Sequence, residues 1–200
     1  MRFVVVVATA ISLMASCMVV AGTDTDPEDT RVPEVLGFVE WAVINDTGLR
    51  MKARMDTGAK TSSLHAIDIR EFQKNGEKWV KFNIPLGDHE DQPSSGELDH
   101  DAVTLQFERP VYRTVLIKRK GLDSQRRYVV KMSFCIAGTE HETQFSLANR
   151  SNFSYPMLLG RRFMADDNIL IDSSKAFKAD KECEYQTLES LAGSAHRVKS

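Results

Sequence analysis

Apolar and polar residues alternate most regularly from Leu49 to Met55, where Leu49, Met51, Ala53 and Met55 are separated by Arg50, Lys52 and Arg54. A period of two puts the apolar side chains on one face, so this segment predicts a half-buried strand. Upstream, Leu36 to Ile44 is apolar and β-prone, and Asn45-Asp46-Thr47-Gly48 supplies turn chemistry that joins the two runs as a hairpin. Further strands are predicted at Trp79 to Ile84, Ala102 to Phe107, Val111 to Arg119, Tyr128 to Ala137, His141 to Leu147 and Ile169 to Asp172. Gly138-Thr139-Glu140 makes a tight turn, Gly160 to Met164 reads as one or two helical turns, and Glu184 to Leu191 has weak helical promise. Short, regularly spaced strands with little helix predict an all-β barrel or sandwich.

The pattern fails in four places. Phe3 to Ala21 lacks any charged side chain and follows only Met1 and Arg2, the layout of an export signal over residues 1–21. Val19-Val20-Ala21 suits an ordinary signal peptidase, Leu13 to Cys17 approximates a lipoprotein signal that would lipidate Cys17, and roughly 20 apolar residues also suffice for an anchor. Residues 22–34 are polar and Pro-containing and read as a flexible lead into a domain at 35–178, followed by a polar tail at 179–200. Inside the domain, Pro85 to Asp101 is rich in Gly, Pro, Ser and charge, long enough for a functional loop such as a flap.

Composition narrows the class. Lys plus Arg number 26 against 28 Asp plus Glu, a net charge of -2, which argues against a nucleic-acid binder that neutralises phosphates. Three cysteines exclude a disulfide-dense scaffold and a four-cysteine zinc site. Cleavage after Ala21 leaves Cys135 and Cys183, which pair or stay reduced according to a distance that the sequence does not give.

The chemistry-bearing segment is Asp56-Thr57-Gly58-Ala59-Lys60-Thr61-Ser62-Ser63-Leu64-His65. A strand delivers Asp56 into a turn where Thr57 can hydrogen-bond the carboxylate and Gly58 lets backbone N–H groups approach it. Aspartic peptidases use that geometry: two such carboxylates about 3 Å apart share a proton and activate a water by general acid–base chemistry. Asp-Thr-Gly alone also makes ordinary turns, but a second element, Tyr155-Pro156-Met157-Leu158-Leu159-Gly160-Arg161-Arg162, follows about a hundred residues later.

These two elements resemble the retropepsin-like aspartic peptidases. With Gly76 to Phe82, Arg113 to Ile117, Phe145 to Arg150 and Ile169 to Phe177, they resemble in particular the bacterial family long labelled ATP-dependent zinc proteases and now treated as retropepsin-like. The resemblance covers Leu36 to Phe177 and implies a closed retropepsin-like barrel with one short helix. It implies an aspartic endopeptidase whose catalytic Asp56 pairs with Asp56 of a second subunit, since of the two Asp-Thr-Gly tripeptides in the chain only Asp56-Thr57-Gly58 follows a strand and continues into the family motif, while Asp46-Thr47-Gly48 belongs to the hairpin turn. Thr57, Gly58 and Ala59 would support the catalytic loop, with Thr57 tying two loops together and Ala59 packing on the Leu158-Leu159-Gly160 strand. Arg161 would pair with a carboxylate and brace the dimer. Because relatives are encoded with ATP-grasp ligases that add glutamate, an acidic or glutamate-rich peptide substrate is implied as well.

The zinc and ATP label is not carried by these residues. Neither a Gly-Lys-Ser/Thr phosphate loop nor a His-Glu-x-x-His helix occurs, and His65, His89, His100 and His141 with Asp88, Glu90, Asp91, Asp99 and Asp101 read as a solvated acidic loop plus structural histidines. The expectation is therefore no metal and no cofactor. Lys60, four residues after Asp56, would lower the carboxylate pKa if it approached, and otherwise faces solvent. Asp172, at the end of an apolar run, is a rival partner for Asp56 within one chain, although it lacks the following Gly. The basic run around Gly121 (Lys118, Arg119, Lys120, Arg126, Arg127, Lys131) reads as a charged hairpin able to discourage strand addition or to receive an acidic substrate. Two other function classes stay open: a peptide-binding module without turnover, and a metal-dependent hydrolase.

Overall fold

The computed structural model describes residues 32–86, 104–119 and 122–195. The export signal, Cys17, most of the linker, the greater part of the Pro85 to Asp101 loop with His89 and His100, and Lys120-Gly121 lie outside the described residues. Twelve strands and two helices follow in chain order among them: β1 (Glu34–Gly37), β2 (Val39–Ile44), β3 (Leu49–Asp56), β4 (Ser62–His65), β5 (Ile67–Lys74), β6 (Glu77–Pro85), β7 (Thr104–Pro110), β8 (Arg113–Arg119), β9 (Leu122–Ile136), β10 (Thr139–Ala148), β11 (Met157–Gly160), α1 (Arg161–Asp166), β12 (Ile169–Asp172) and α2 (Leu188–Ala195).

The all-β architecture expected from the strand pattern is the one found. The main sheet runs β10-β4-β11-β3-β2-β9-β8, and β9 also pairs with β10, so six strands form a closed hydrogen-bonded ring with β8 attached outside it. The alternation that marked β3 has the expected outcome: Leu49, Met51 and Ala53 are fully buried and Met55 nearly so. Met132, Phe134, Ile136, Phe145, Leu147, Met157 and Leu159 join them in the core, where Phe134 packs edge-on to Phe145 at 5.3 to 5.6 Å from its aromatic neighbours Phe163 and Phe145. A three-stranded antiparallel sheet, β5-β6-β7, adds Phe82 and Phe107, stacked 5.4 Å apart.

Several segments differ from the sequence expectation. Leu36 to Ile44 is two strands rather than one, because the chain turns at Phe38 where the buried Glu40 carboxylate accepts the Gly37 N–H at 2.6 Å. β1 then leaves the ring to pair in parallel with β12. β5 was not expected: its residues are mostly exposed and charged, so no apolar period announces it. β9 is longer than Tyr128 to Ala137, beginning at Leu122.

The expected polar tail is also packed. Cys183 is disulfide-bonded to Cys135 on β9, with Cα atoms 5.9 Å apart, which resolves the pairing left open by the sequence. Beyond it α2 buries Leu188, Leu191 and Ala192, one face of a helical turn, in the common core. Glu40 anchors the start of this segment, accepting the N–H groups of Lys178 at 2.8 Å and Ala179 at 3.2 Å.

Candidate active site

Asp56 is the last residue of β3, and β11 lies beside it in parallel so that Gly160 is its direct partner. The two motifs separated in sequence therefore end at the same point of the sheet. The Asp56 side chain is half-buried, whereas Thr57 and Gly58 are exposed. Its Oδ1 accepts the N–H of Gly58 at 2.9 Å and of Ala59 at 3.1 Å, an Asx turn that fixes the carboxylate by backbone amides. The carboxylate is thus held by Gly58 and Ala59, not by the Thr57 hydroxyl that the sequence pointed to. Gly58 is needed for close approach, since a Cβ there would lie 3.2 Å from Oδ1.

The loop is clamped from below by the second motif. The N–H of Arg161 donates to the Ala59 carbonyl at 2.9 Å, that of Arg162 donates to Lys60 at 3.3 Å, and the Arg161 guanidinium reaches the Gly58 carbonyl at 2.9 Å. The first turn of α1 thereby satisfies its free amides on the loop it supports. Ala59 is thereby tied to the start of α1, directly after β11. Within its own chain the Arg161 side chain is thus spent on a backbone carbonyl of the catalytic loop. Gly160 donates its N–H to Ser62 Oγ at 3.1 Å, and a Cβ on it would come within 2.7 to 2.9 Å of the Thr61 backbone. Leu159 is fully buried beneath the loop, Leu158 is half-buried on the opposite face, and Lys60 is exposed.

The remaining candidates separate from the site. Asp172 belongs to the β1–β12 pair, where its Oδ1 accepts the Ser174 N–H at 3.0 Å and hydroxyl at 2.6 Å. These bonds, with Lys175 and Lys178 nearby, hold its carboxyl below the usual range. Asp56 is not among the charges acting on it. His141 is bonded through Nδ1 to Asp167 at 2.9 Å against the Phe163 ring, and His65 is a buried structural residue. Among the described residues no three His, Cys, Asp or Glu side chains gather at metal-binding spacing. An open hollow of about 750 Å³ lies away from Asp56, lined by the β2–β3 turn and residues 183–191.

Arg150 is the residue that sequence reasoning missed, although it closes one of the quoted segments. It follows β10, whose partner β4 carries Ser63 and His65 on the same outer face as Asp56 and Leu158. The Arg150 N–H donates to His65 Nδ1 at 2.7 Å, its Nε–H to the Tyr155 carbonyl at 3.2 Å, and Nη1 lies 3.5 Å from Ser63 Oγ. Burial first, and the neighbouring Arg127 second, draw its guanidinium below the ordinary range, while the Asp56 carboxylate acts in the opposite sense.

Comparison with known proteins agrees with this geometry. The model of the RimB-like family, described as retropepsin-like aspartic endopeptidase RimB, matches residues 35–182. A probable alpha-L-glutamate ligase of Shewanella pealeana is 36% identical over 155 residues, covering 75% of this chain and 31% of that protein. A second, from Shewanella halifaxensis, is 33% identical, covering 83% of this chain and 34% of its own. The chain thus spans about a third of the length of the curated relatives it matches. Among solved structures, the Legionella pneumophila protein Lpg0085, of unknown function, superposes with a TM-score of 0.59 at 28% identity, over 74% of this chain and 98% of that one.

Proposed function

Because the chain belongs to the RimB-like family of retropepsin-like aspartic endopeptidases, we propose that it hydrolyses peptide bonds through a dyad made by Asp56 of two subunits. The observation that carries this reading is the fixed carboxylate: Oδ1 is taken by two backbone amides, and Oδ2 has no hydrogen bond among the described residues. Oδ2 is the oxygen free to share a proton with its counterpart and to hold water. Two carboxylates at such separation cannot both ionise, so one acts as base on the water while the other donates to the peptide carbonyl.

The substrate is an acidic or glutamate-rich peptide in this reading. The names of the longer relatives support it, since proteins named for joining glutamate share this segment. The site of action is an exported one, to which a Cys135–Cys183 disulfide is suited. A peptide library assayed with the intact protein and with Asp56→Asn tests the proposal. Cleavage lost by at least about 1000-fold in Asp56→Asn, with peptide binding kept, supports the dyad. Cleavage that survives in Asp56→Asn and falls on chelation would favour a metal-dependent hydrolase instead.

A further inference from the structure

Arg150 presents a cost that the fold alone does not offset. Its side chain is 9% exposed, and its hydrogen bonds go to a carbonyl and a hydroxyl, with the Phe153 ring 4.5 Å away. No carboxylate lies within ion-pair distance of it among the described residues. A largely buried cation whose hydrogen bonds go only to neutral acceptors is incompletely compensated, and the anion that acts on it favourably is the Asp56 carboxylate of the site itself. Arg127, half-buried on β9, adds a second positive charge close enough to disfavour the first. Two arginines brought together against their mutual repulsion make an anion-receiving spot, and a planar guanidinium takes a carboxylate by two parallel bonds.

Placement gives the anion its identity. Arg150 reaches back along the outer face from the level of His65 to that of Ser63, toward the end of the sheet where Gly160 and Asp56 stand together. A peptide extended across Asp56 on this side would pass the guanidinium with one of its side chains. We propose that Arg150 is a specificity-determining residue that receives a carboxylate side chain of the bound peptide, with Arg127 strengthening the local field. The inference deepens the peptidase reading and takes its setting from it, but its test reads binding and not turnover.

The experiment uses the intact protein carrying Asp56→Asn, with fluorescein-labelled hexaglutamate and hexaglutamine as probes followed by anisotropy. Hexaglutamate should bind at least about tenfold tighter, and Arg150→Gln in the same background should erase most of that ratio while leaving hexaglutamine unchanged. Arg126→Gln removes an equal charge from an exposed position of β9 and should alter the ratio by less than about twofold. A ratio that survives Arg150→Gln, or that falls equally with Arg126→Gln, overturns the assignment. Should Arg150→Gln not fold, the Arg150 Nε–H resonance of the Asp56→Asn protein decides: it should move with hexaglutamate and not with hexaglutamine, and an unmoved signal rejects the site. If the binding preference depends on Arg150 while the protein with Asp56 intact cleaves neither peptide, the peptidase reading fails and the carboxylate site stands.

Discussion

Gly58 and Gly160 stand on either side of one carboxylate and are required for different reasons. A methyl group on Gly160 would meet the Thr61 backbone, which cannot swing aside, so Gly160→Ala should cost about 1–3 kcal/mol in urea unfolding and lower any activity with it. A methyl on Gly58 would press on Asp56 Oδ1 at 3.2 Å in an exposed turn, so Gly58→Ala should leave the unfolding midpoint nearly unchanged while reducing kcat. Glu40, 1% exposed, gathers the amides of Gly37, Lys178 and Ala179, and Glu40→Ala would leave a buried amide at Gly37 and two part-buried ones unbonded. A loss of about 3 kcal/mol is expected, read from urea midpoints at constant m. Asp172 provides the pH dependence. Its folded pKa is depressed by Ser174, so its contribution is present above the unfolded value and is lost as pH falls through the folded one. A carboxyl NMR titration should place its midpoint below the ordinary aspartate range, and Ser174→Ala should return it upward. At this scale the sequence disclosed Asp56 and Gly160 because their roles are written in local motifs. Arg150 and Glu40 were hidden, since their burial is created by strands and turns distant in the chain.

Among elements, the C-terminal segment depends on a single covalent tie. The Cys135–Cys183 bond closes a loop of sequence separation 48 and delivers residues 184–195 to the core. Reduction, or Cys183→Ser, should lower stability by about 2–4 kcal/mol, and hydrogen exchange should show α2 amides losing protection before those of β9. The β3 strand was legible because its period of two is unbroken, and α1 because Gly and a short apolar run mark its start. The four-residue strand β4 buries Ser62, Ser63 and His65 beside Leu64, a pattern in which polarity misreports burial. The β5 strand has the opposite difficulty, as it is held by β6 and offers solvent its charged residues. The helix α2 did leave a signal, the spacing of Leu188, Leu191 and Ala192, which polar neighbours diluted.

For the whole molecule, the proposed chemistry sets a condition on assembly. The second Asp-Thr-Gly, Asp46-Thr47-Gly48, is the β2–β3 turn at the far end of β3 from Asp56, so the proposed dyad needs a pair of chains and light scattering across a wide concentration range should show a dimer under assay conditions. Specific activity should fall on dilution through the dissociation constant. A strict monomer that still cleaves peptides would remove the two-Asp56 site. The all-β class was readable from strand spacing, but the closed ring was not, because pairing order is a property of contacts between distant segments. The union of β1 with β12 reaches further than architecture. Residue 34 finds its partner at residue 169, and the ring beside it joins strands from β2 near the start to β11 near the end. A chain emerging from its N-terminus therefore cannot complete this fold during synthesis, and loop closure over such a span makes folding slow. The sealing of the ring and of the strand pair beside it thus waits on the last strands to be made.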